Sequence, residues 1–134
     1  MASSTHFPDA ELKCPCCGVN ECTQQLVDAL EALRAVVGLV TVDSGYRCPA
    51  HNKAVGGEAN SQHLLGNAAD IRVPGKTSAE VYRIAKTVPG FNGFGVAEHF
   101  IHVDVRTKTG KWTYGPDGKQ RPWNPKLDAE EVMS

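Results

Sequence analysis

An excess of charge of either sign is missing from this chain. Its 14 Lys and Arg are balanced by 15 Asp and Glu, for a formal net charge of −1. Without a basic excess there is no electrostatic footprint for a polyanion, which argues against nucleic acid as a partner. Also missing is any run near the roughly 18 apolar residues that a membrane span needs. The opening MASSTHFPDAELKC has no charged segment followed by an apolar core, so it does not look like a secretory signal. The expectation is a chain made in the cytoplasm, whatever compartment it later works in. No internal repeat and no low-complexity segment is visible. At 134 residues and 41% hydrophobic, the chain suits one domain spanning residues 1–134, with no room for a second of ordinary size.

Cysteine is not scarce. There are five, and four of them crowd into CPCCGVNEC. What this cluster lacks is the second CxxC of a zinc ribbon. Cys14 and Cys17 do have a CxxC offset, but no βαβ context supports a redox site of the thioredoxin type. Cys14, Cys16, Cys17 and Cys22 stay open between a thiolate metal site, one or two disulfides and reduced structural thiols, with a structural role as the default. With Cys48 the total is odd, so at least one thiol stays free if disulfides form within the chain. Nothing in the spacing supports a structural metal ion here.

Residues 1–22 form an irregular, Cys-containing lead-in. From Thr23 onward Leu26, Leu30, Leu33 and Val37 fall on one helical stripe, widened by Val27 and Val36. Thr23 is a candidate N-cap and Gly38 a candidate stop. Leu39 to Val42 is short and β-branched, as a strand entering the core is. The stretch SGYRCPAHNKAVGGEAN is an ordered loop with at most one helical turn, and long ordered loops are usually functional. Ala68 to Val73 is a second strand and Ser78 to Val88 a second helix. Phe91 to Val96 and Phe100 to Val105 are two more strands. The tail, residues 107–134, has turn chemistry in PDG, and little regular structure is expected beyond Trp112. Strands and helices are mixed and too few for a doubly wound sheet. The fold class is therefore α+β, a small mixed or antiparallel sheet with helices packed on one side.

The stretch SQHLLGNAAD places His63 in a loop and Asp70 on the strand that follows. Gly66 lets the intervening chain turn tightly or approach another backbone, and Ala68 leaves space beside it. A loop-then-strand path of this length brings a histidine and a carboxylate to one point. Downstream, EHFIHVDVR supplies a partner. On a strand Ile101, Val103 and Val105 point one way and Phe100, His102, Asp104 and Arg106 the other. The aliphatic set belongs in the core, which turns His102 and Asp104 toward a cleft. His63, Asp70 and His102 make a set of two imidazoles and one carboxylate, a common ligand type for catalytic zinc that leaves a fourth position open. Ligand types alone leave room for other divalent ions. Singly, each residue is more often a surface group, a satisfied core group or a turn-capping acid.

SxHxxGxAxD followed by a strand ending in HxD resembles the zinc D-Ala-D-Ala carboxypeptidase family. That family is similar in fold to vancomycin-resistance D,D-dipeptidases, phage L-Ala-D-Glu endopeptidases and the hedgehog signalling domain. TVDSGYRCPAHNKAVGGEANSQHLLGNAADIRV resembles the family's core almost throughout, GFGVAEHFIHVDVR its closing segment, and HFPDAELKCPCCG the start of its small carboxypeptidase-like members. The resemblance covers most of residues 6–106.

It implies that His63, Asp70 and His102 hold one catalytic Zn2+. It implies that Arg47, in SGYR, binds or polarises substrate near the scissile carbonyl. Ser61 would contact substrate or support the metal loop. Many relatives place Glu or Asp as general base three residues before the last zinc histidine. Here that slot holds His99, with Glu98 beside it. A histidine suits the task because its ordinary pKa of about 6.5 lies near working pH. His99 therefore ranks first by position and Glu98 second by chemistry, while Asp104 is expected to orient a ligand from behind. The implied activity is hydrolysis of a peptidoglycan stem peptide, by carboxypeptidase or endopeptidase action, in a monomer acting on the bacterial cell wall. The leaderless single-domain form fits a phage-type lysin. Two rival readings stand beside it. One is a zinc-stabilised binding module without peptidase activity, as in the hedgehog domain. The other is a redox or metal-storage protein built on the cysteines, which leaves SxHxxGxAxD unexplained.

Overall fold

A computed structural model describes residues 2–129. Met1 and residues 130–134, the end of the tail expected to be loop-rich, lie outside the described residues. Helix α1 (Asp9–Leu12) gives the lead-in one turn of regular structure, in place of the wholly irregular path expected there. Helix α2 (Gln24–Val37) starts where the sequence indicates: the Thr23 hydroxyl accepts from the Leu26 N–H, and Gly38 follows its last residue. Leu26, Leu30 and Leu33 are fully buried along the expected stripe. Then come β1 (Thr41–Ser44), α3 (Pro49–Ala54), a 3-10 turn (Gln62–Leu65), β2 (Ala68–Arg72) and α4 (Ser78–Ala85). Strands β3 (Gly93–Val96), β4 (Ile101–Asp104), β5 (Gly110–Tyr114) and β6 (Gln120–Arg121) and helix α5 (Lys126–Ala129) complete the order.

The six strands form one mixed sheet in the order β1-β2-β4-β3-β5-β6. All neighbours are antiparallel except β3 and β5, which run parallel. Alternation divides each strand between two faces. Ala69, Ile71, Phe94, Val96, Ile101 and Val103 point into a core shared with α2 and α4, where Val27, Leu30, Val81 and Tyr82 meet them. Asp70, His102 and Asp104 take the intervening positions and are buried on the opposite face. Truncating a buried leucine of this core, such as Leu30, to alanine costs about 2–5 kcal/mol.

Several boundaries differ from the sequence expectations. Strand β1 lies two residues later than Leu39–Val42, and Leu39 is exposed. Pairing of Ser44 with Asp70, across an irregularity after Val42, sets this register. Helix α4 ends at Ala85 rather than Val88. The Thr87 and Val88 N–H groups turn back to Ile84 and Ala85 in tighter turns just before Pro89, which disfavours helical conformation in the residue preceding it. The loop before His63 carries α3, slightly more than one helical turn. The tail departs most: β5 adds to the sheet edge alongside β3, and a turn closed by Gly115 and Lys119 leads into β6. That pairing joins segments distant in sequence, which local turn chemistry does not reveal.

Candidate metal centre

His63, Asp70 and His102 are brought together by the 3-10 turn and two neighbouring strands. Asp70 on β2 lies directly opposite His102 on β4, so sheet register alone sets these two side by side. His63 comes from the 3-10 turn, capped by the Ser61 hydroxyl, which accepts from the His63 N–H at 3.1 Å. Gly66 ends that turn with φ +73°, and its Cα faces the Glu21 carbonyl so closely that any Cβ there would overlap it. Its carbonyl accepts from the Thr23 N–H at 2.9 Å. A single glycine thus ties the turn to the start of α2, in line with the tight approach expected of it. The three candidate ligand atoms all lie within 4.8 Å of one another, and all three residues are buried.

Partners behind the imidazoles fix which nitrogen faces inward. His63 Nδ1 is 2.7 Å from the Gly45 carbonyl. A carbonyl only accepts, so Nδ1 carries the proton and the Nε2 lone pair points at Asp70 Oδ1, 3.3 Å away. His102 Nε2 is 2.7 Å from Asp104 Oδ2, which leaves Nδ1 directed at the same Asp70 oxygen at 3.4 Å. Two imidazole lone pairs and a carboxylate oxygen therefore converge on one point. Such an array repels itself unless a cation is shared between its members, and its donors fit a divalent metal ion.

Without a metal ion, a proton can take the shared position instead: burial opposes ionisation of Asp70, yet the adjoining imidazoles of His102 and His63 hold its carboxyl far below the ordinary range. Burial likewise works against a charged His102, but Asp104 and Asp70 outweigh it and raise the imidazole pKa. Asp104 is fully buried. Burial alone would raise its pKa, but His102 and Arg106 bring it down to about 2. It accepts from Arg106 Nε at 2.8 Å and Nη2 at 2.7 Å and lies against the Nε2 side of His102. Room for that carboxylate comes from Gly93 on β3, where any Cβ would collide with it.

Arg47 is anchored beside the triad. Its Nη2 donates to Asp70 Oδ2 at 3.0 Å, Nε to the Ser44 hydroxyl at 3.1 Å and Nη1 to Asn52 Oδ1 at 3.2 Å. Three of the five guanidinium N–H groups are directed at these partners, and the rest of the fork lines a cavity of about 520 Å³. Ser61, His63, Asp70 and His102 line the same cavity. His99 and Glu98 are not brought to it. Their side chains are 85% and 87% exposed, at the tip of the β3–β4 turn closed by the Ala97 N–H and the Phe100 carbonyl. They line a neighbouring hollow with Thr77 and Ser78 instead.

Other cavity residues were not singled out in the sequence. Trp112 and Tyr114 project from β5 over the site. The Trp112 ring lies 5.1 Å from that of His102, and the Arg106 guanidinium is 4.8 Å from the Trp112 ring centre. Trp112 Nε1 is buried with no hydrogen-bond partner among the described residues. Burial pushes the Tyr114 phenol up to about 12, so it keeps its proton. Gly95 makes space for both rings, since a Cβ there would strike Trp112. The one available signal was the GFG of β3, two glycines on one face of a strand.

Four cysteines gather at the edge of this region. Cys14, Cys17 and Cys48 place their sulfurs within 4.8 Å of one another, and Cys16 Sγ is 3.8 Å from Cys48 Sγ. Burial pushes the Cys14 thiol up, but N–H groups of Cys48, Cys16 and Cys17 and the Cys48 thiol bring it down to about 7. Cys22 lies apart, buried, with its thiol 3.7 Å from the Leu12 carbonyl.

Comparison with known proteins adds two findings. The family described as Peptidase M15 matches residues 5–104. A zinc D-Ala-D-Ala carboxypeptidase of Streptomyces albus G is 32% identical over 92 residues, 65% of this chain and 36% of that protein. The chain therefore spans about a third of the length of that curated relative.

Proposed function

Since this chain belongs to the peptidase M15 family, we propose that it is a zinc-dependent peptidase acting on a peptidoglycan stem peptide with D-amino acids near the cut. One observation carries the reading: His63, Asp70 and His102 converge on a cavity wall with both imidazole tautomers set from behind by Gly45 and Asp104. The relative named as a zinc D-Ala-D-Ala carboxypeptidase supports zinc as the metal and a peptide with D-amino acids as the substrate.

His63, Asp70 and His102 would hold the zinc ion, which would supply Lewis acidity toward a peptide carbonyl and water. The protein's own groups do the rest. Arg47, fixed by Ser44, Asn52 and Asp70, presents the remaining edge of its fork to a substrate carbonyl or terminal carboxylate. Tyr114, protonated at all working pH values, donates to oxygen on which negative charge develops. Trp112 Nε1 offers its unused N–H to a backbone carbonyl of the peptide. Cleavage of a terminal D-residue and cleavage within the stem would use the same three metal ligands, and differ in whether Arg47 meets a carboxylate or a carbonyl.

The test is incubation of the zinc-loaded protein with purified peptidoglycan, with the fragments identified by mass spectrometry and His102→Ala as control. Zinc-dependent release of D-alanine or a stem fragment is expected and names the bond. Intact wall from several chemotypes, with zinc bound, sinks the peptidase reading. That result would favour a zinc-stabilised binding module, a rival supported by one feature: His99 and Glu98 lie outside the cavity.

A further inference from the structure

We propose that Cys14, Cys16, Cys17 and Cys48 together hold a structural zinc ion, independent of the His63–Asp70–His102 centre. The sequence CPCCG forms a tight turn in which the Gly18 N–H donates to the Cys14 carbonyl at 2.8 Å. The turn presents Cys14 and Cys17 on one side. The third sulfur comes from far along the chain, from Cys48 at the start of α3, and the fourth, Cys16, from the turn itself.

The sulfur geometry suits a metal better than a covalent bridge. Zinc–thiolate bonds of about 2.3 Å in a tetrahedron put neighbouring sulfurs about 3.8 Å apart. Cys14 and Cys48 are separated by 3.7 Å and Cys16 and Cys48 by 3.8 Å. Cys14, Cys16, Cys17 and Cys48 form no disulfide, and a disulfide would join only two of the sulfurs of Cys14, Cys17 and Cys48, which all lie within 4.8 Å of one another. Backbone donors are already aimed at the sulfurs: the Cys48 N–H at Cys14 Sγ, 3.5 Å away, and the His51 N–H at Cys48 Sγ, 3.4 Å away. N–H groups directed at sulfur stabilise the thiolate, the form that binds metal. On binding, each of the four thiols releases its proton to solvent, and four thiolates with Zn2+ leave a net charge of −2. An all-sulfur donor set selects zinc over magnesium or calcium.

This ion would have a mechanical task. Leu12 and Cys14 tie the lead-in to the loop bearing Arg47, since the Tyr46 N–H donates to the Leu12 carbonyl at 2.9 Å. Cys48 directly follows Arg47, the residue that contacts Asp70. A metal clamped across Cys14, Cys16, Cys17 and Cys48 fastens that loop from one end while Asp70 holds it from the other.

The test uses the full chain, purified with zinc, and counts metal by elemental analysis. The parent protein is expected to carry two zinc ions and His63→Ala one. Cys17→Ser, a change at an exposed position, should lose one ion while the protein stays folded by circular dichroism. Replacement of zinc by cobalt gives a second readout that needs no cysteine variant. A sulfur-to-cobalt charge-transfer band that persists in His63→Ala and disappears in Cys17→Ser supports the site. A parent protein with a single zinc, no such band and four thiols freely reactive in the folded state overturns it. So does a Cys14–Cys48 disulfide found by mass spectrometry of protein purified without reductant.

Discussion

The two ligand clusters of this chain differ in what holds them. The His63–Asp70–His102 set is built mainly by a sheet: Asp70 and His102 face each other across β2 and β4, and Gly45 and Asp104 orient the rings. The cysteine set is built by a turn and the N-cap residue of a short helix, with no ladder between them. The first offers mixed nitrogen and oxygen donors on the wall of a cavity. The second offers sulfur alone, and Cys14, within it, is fully buried. A metal ion bound at the first set would lie on the cavity wall, whereas one bound at the second would brace the loop that carries Arg47.

The sharpest way to break this contrast is to remove one ligand. His63→Ala should abolish peptide hydrolysis, because the set drops to two ligands, while the fold and the cysteine-bound cobalt band survive. Loss of both ions from this variant, measured by elemental analysis, would show that the centres are not separable. A smaller effect is expected behind the ligand. Asp104→Asn keeps an acceptor for His102 but removes the charge shared with Arg106. Zinc affinity at the triad should fall by about 10–100-fold, measured by competition with a chelating dye, with the cysteine site unmoved.

Next in size is the cavity itself. Trp112→Phe keeps an aromatic ring against His102 and removes a buried N–H that makes no well-formed hydrogen bond among the described residues. If substrate uses that donor, KM should rise roughly two- to tenfold with kcat nearly unchanged, the value of one ordinary hydrogen bond. An unchanged KM in steady-state assays would take Trp112 out of substrate binding.

What could be read in advance follows from how local each signal is. His63, Asp70 and His102 sit in two short motifs, and strand alternation around Ile101 and Val103 sends His102 and Asp104 to the site face. The α2 boundaries were equally plain, because a cap at Thr23 and a stop at Gly38 act within one turn of the helix. The contributions of Trp112 and Tyr114 were hidden because β5 reaches the site only through a parallel pairing with β3. The cysteine cluster was visible in CPCCG, with a thiolate metal site among its open readings, but the place of Cys48 in it was not, because Cys48 meets Cys14 only after the chain has folded. The base assignment turned on local geometry of another kind. His99 and Glu98 occupy the tip of a tight turn between Ala97 and Phe100, where neither strand alternation nor spacing from His102 holds. His99→Ala and Glu98→Gln should accordingly change kcat/KM by no more than about twofold, the scale of surface substitutions. A loss of activity beyond tenfold in either would restore that residue as the proton acceptor.

The smallest predicted effect separates metal loss from unfolding when pH falls. Asp128 lies on the helix-covered face of the sheet, where it accepts from the Tyr82 hydroxyl at 2.6 Å and Lys86 Nζ at 2.9 Å. The Tyr82 hydroxyl, aided by Lys86 and Trp123, holds its carboxyl down at about 2. An unfolded chain binds a proton at an aspartate near pH 3.9. The folded state binds it less readily, so the stabilisation from Asp128 is complete above about pH 4 and is lost as pH falls toward about 2. Because this side chain is 37% exposed, the contribution is at most about 1 kcal/mol. Asp128→Asn should flatten the acid limb of the stability curve between those pH values. Metal release from the triad, followed in the same titration, should keep its midpoint, because protons there compete with the metal for the ligand atoms rather than acting through the fold. A parallel shift of both curves would mean that acid empties the triad by loosening the fold.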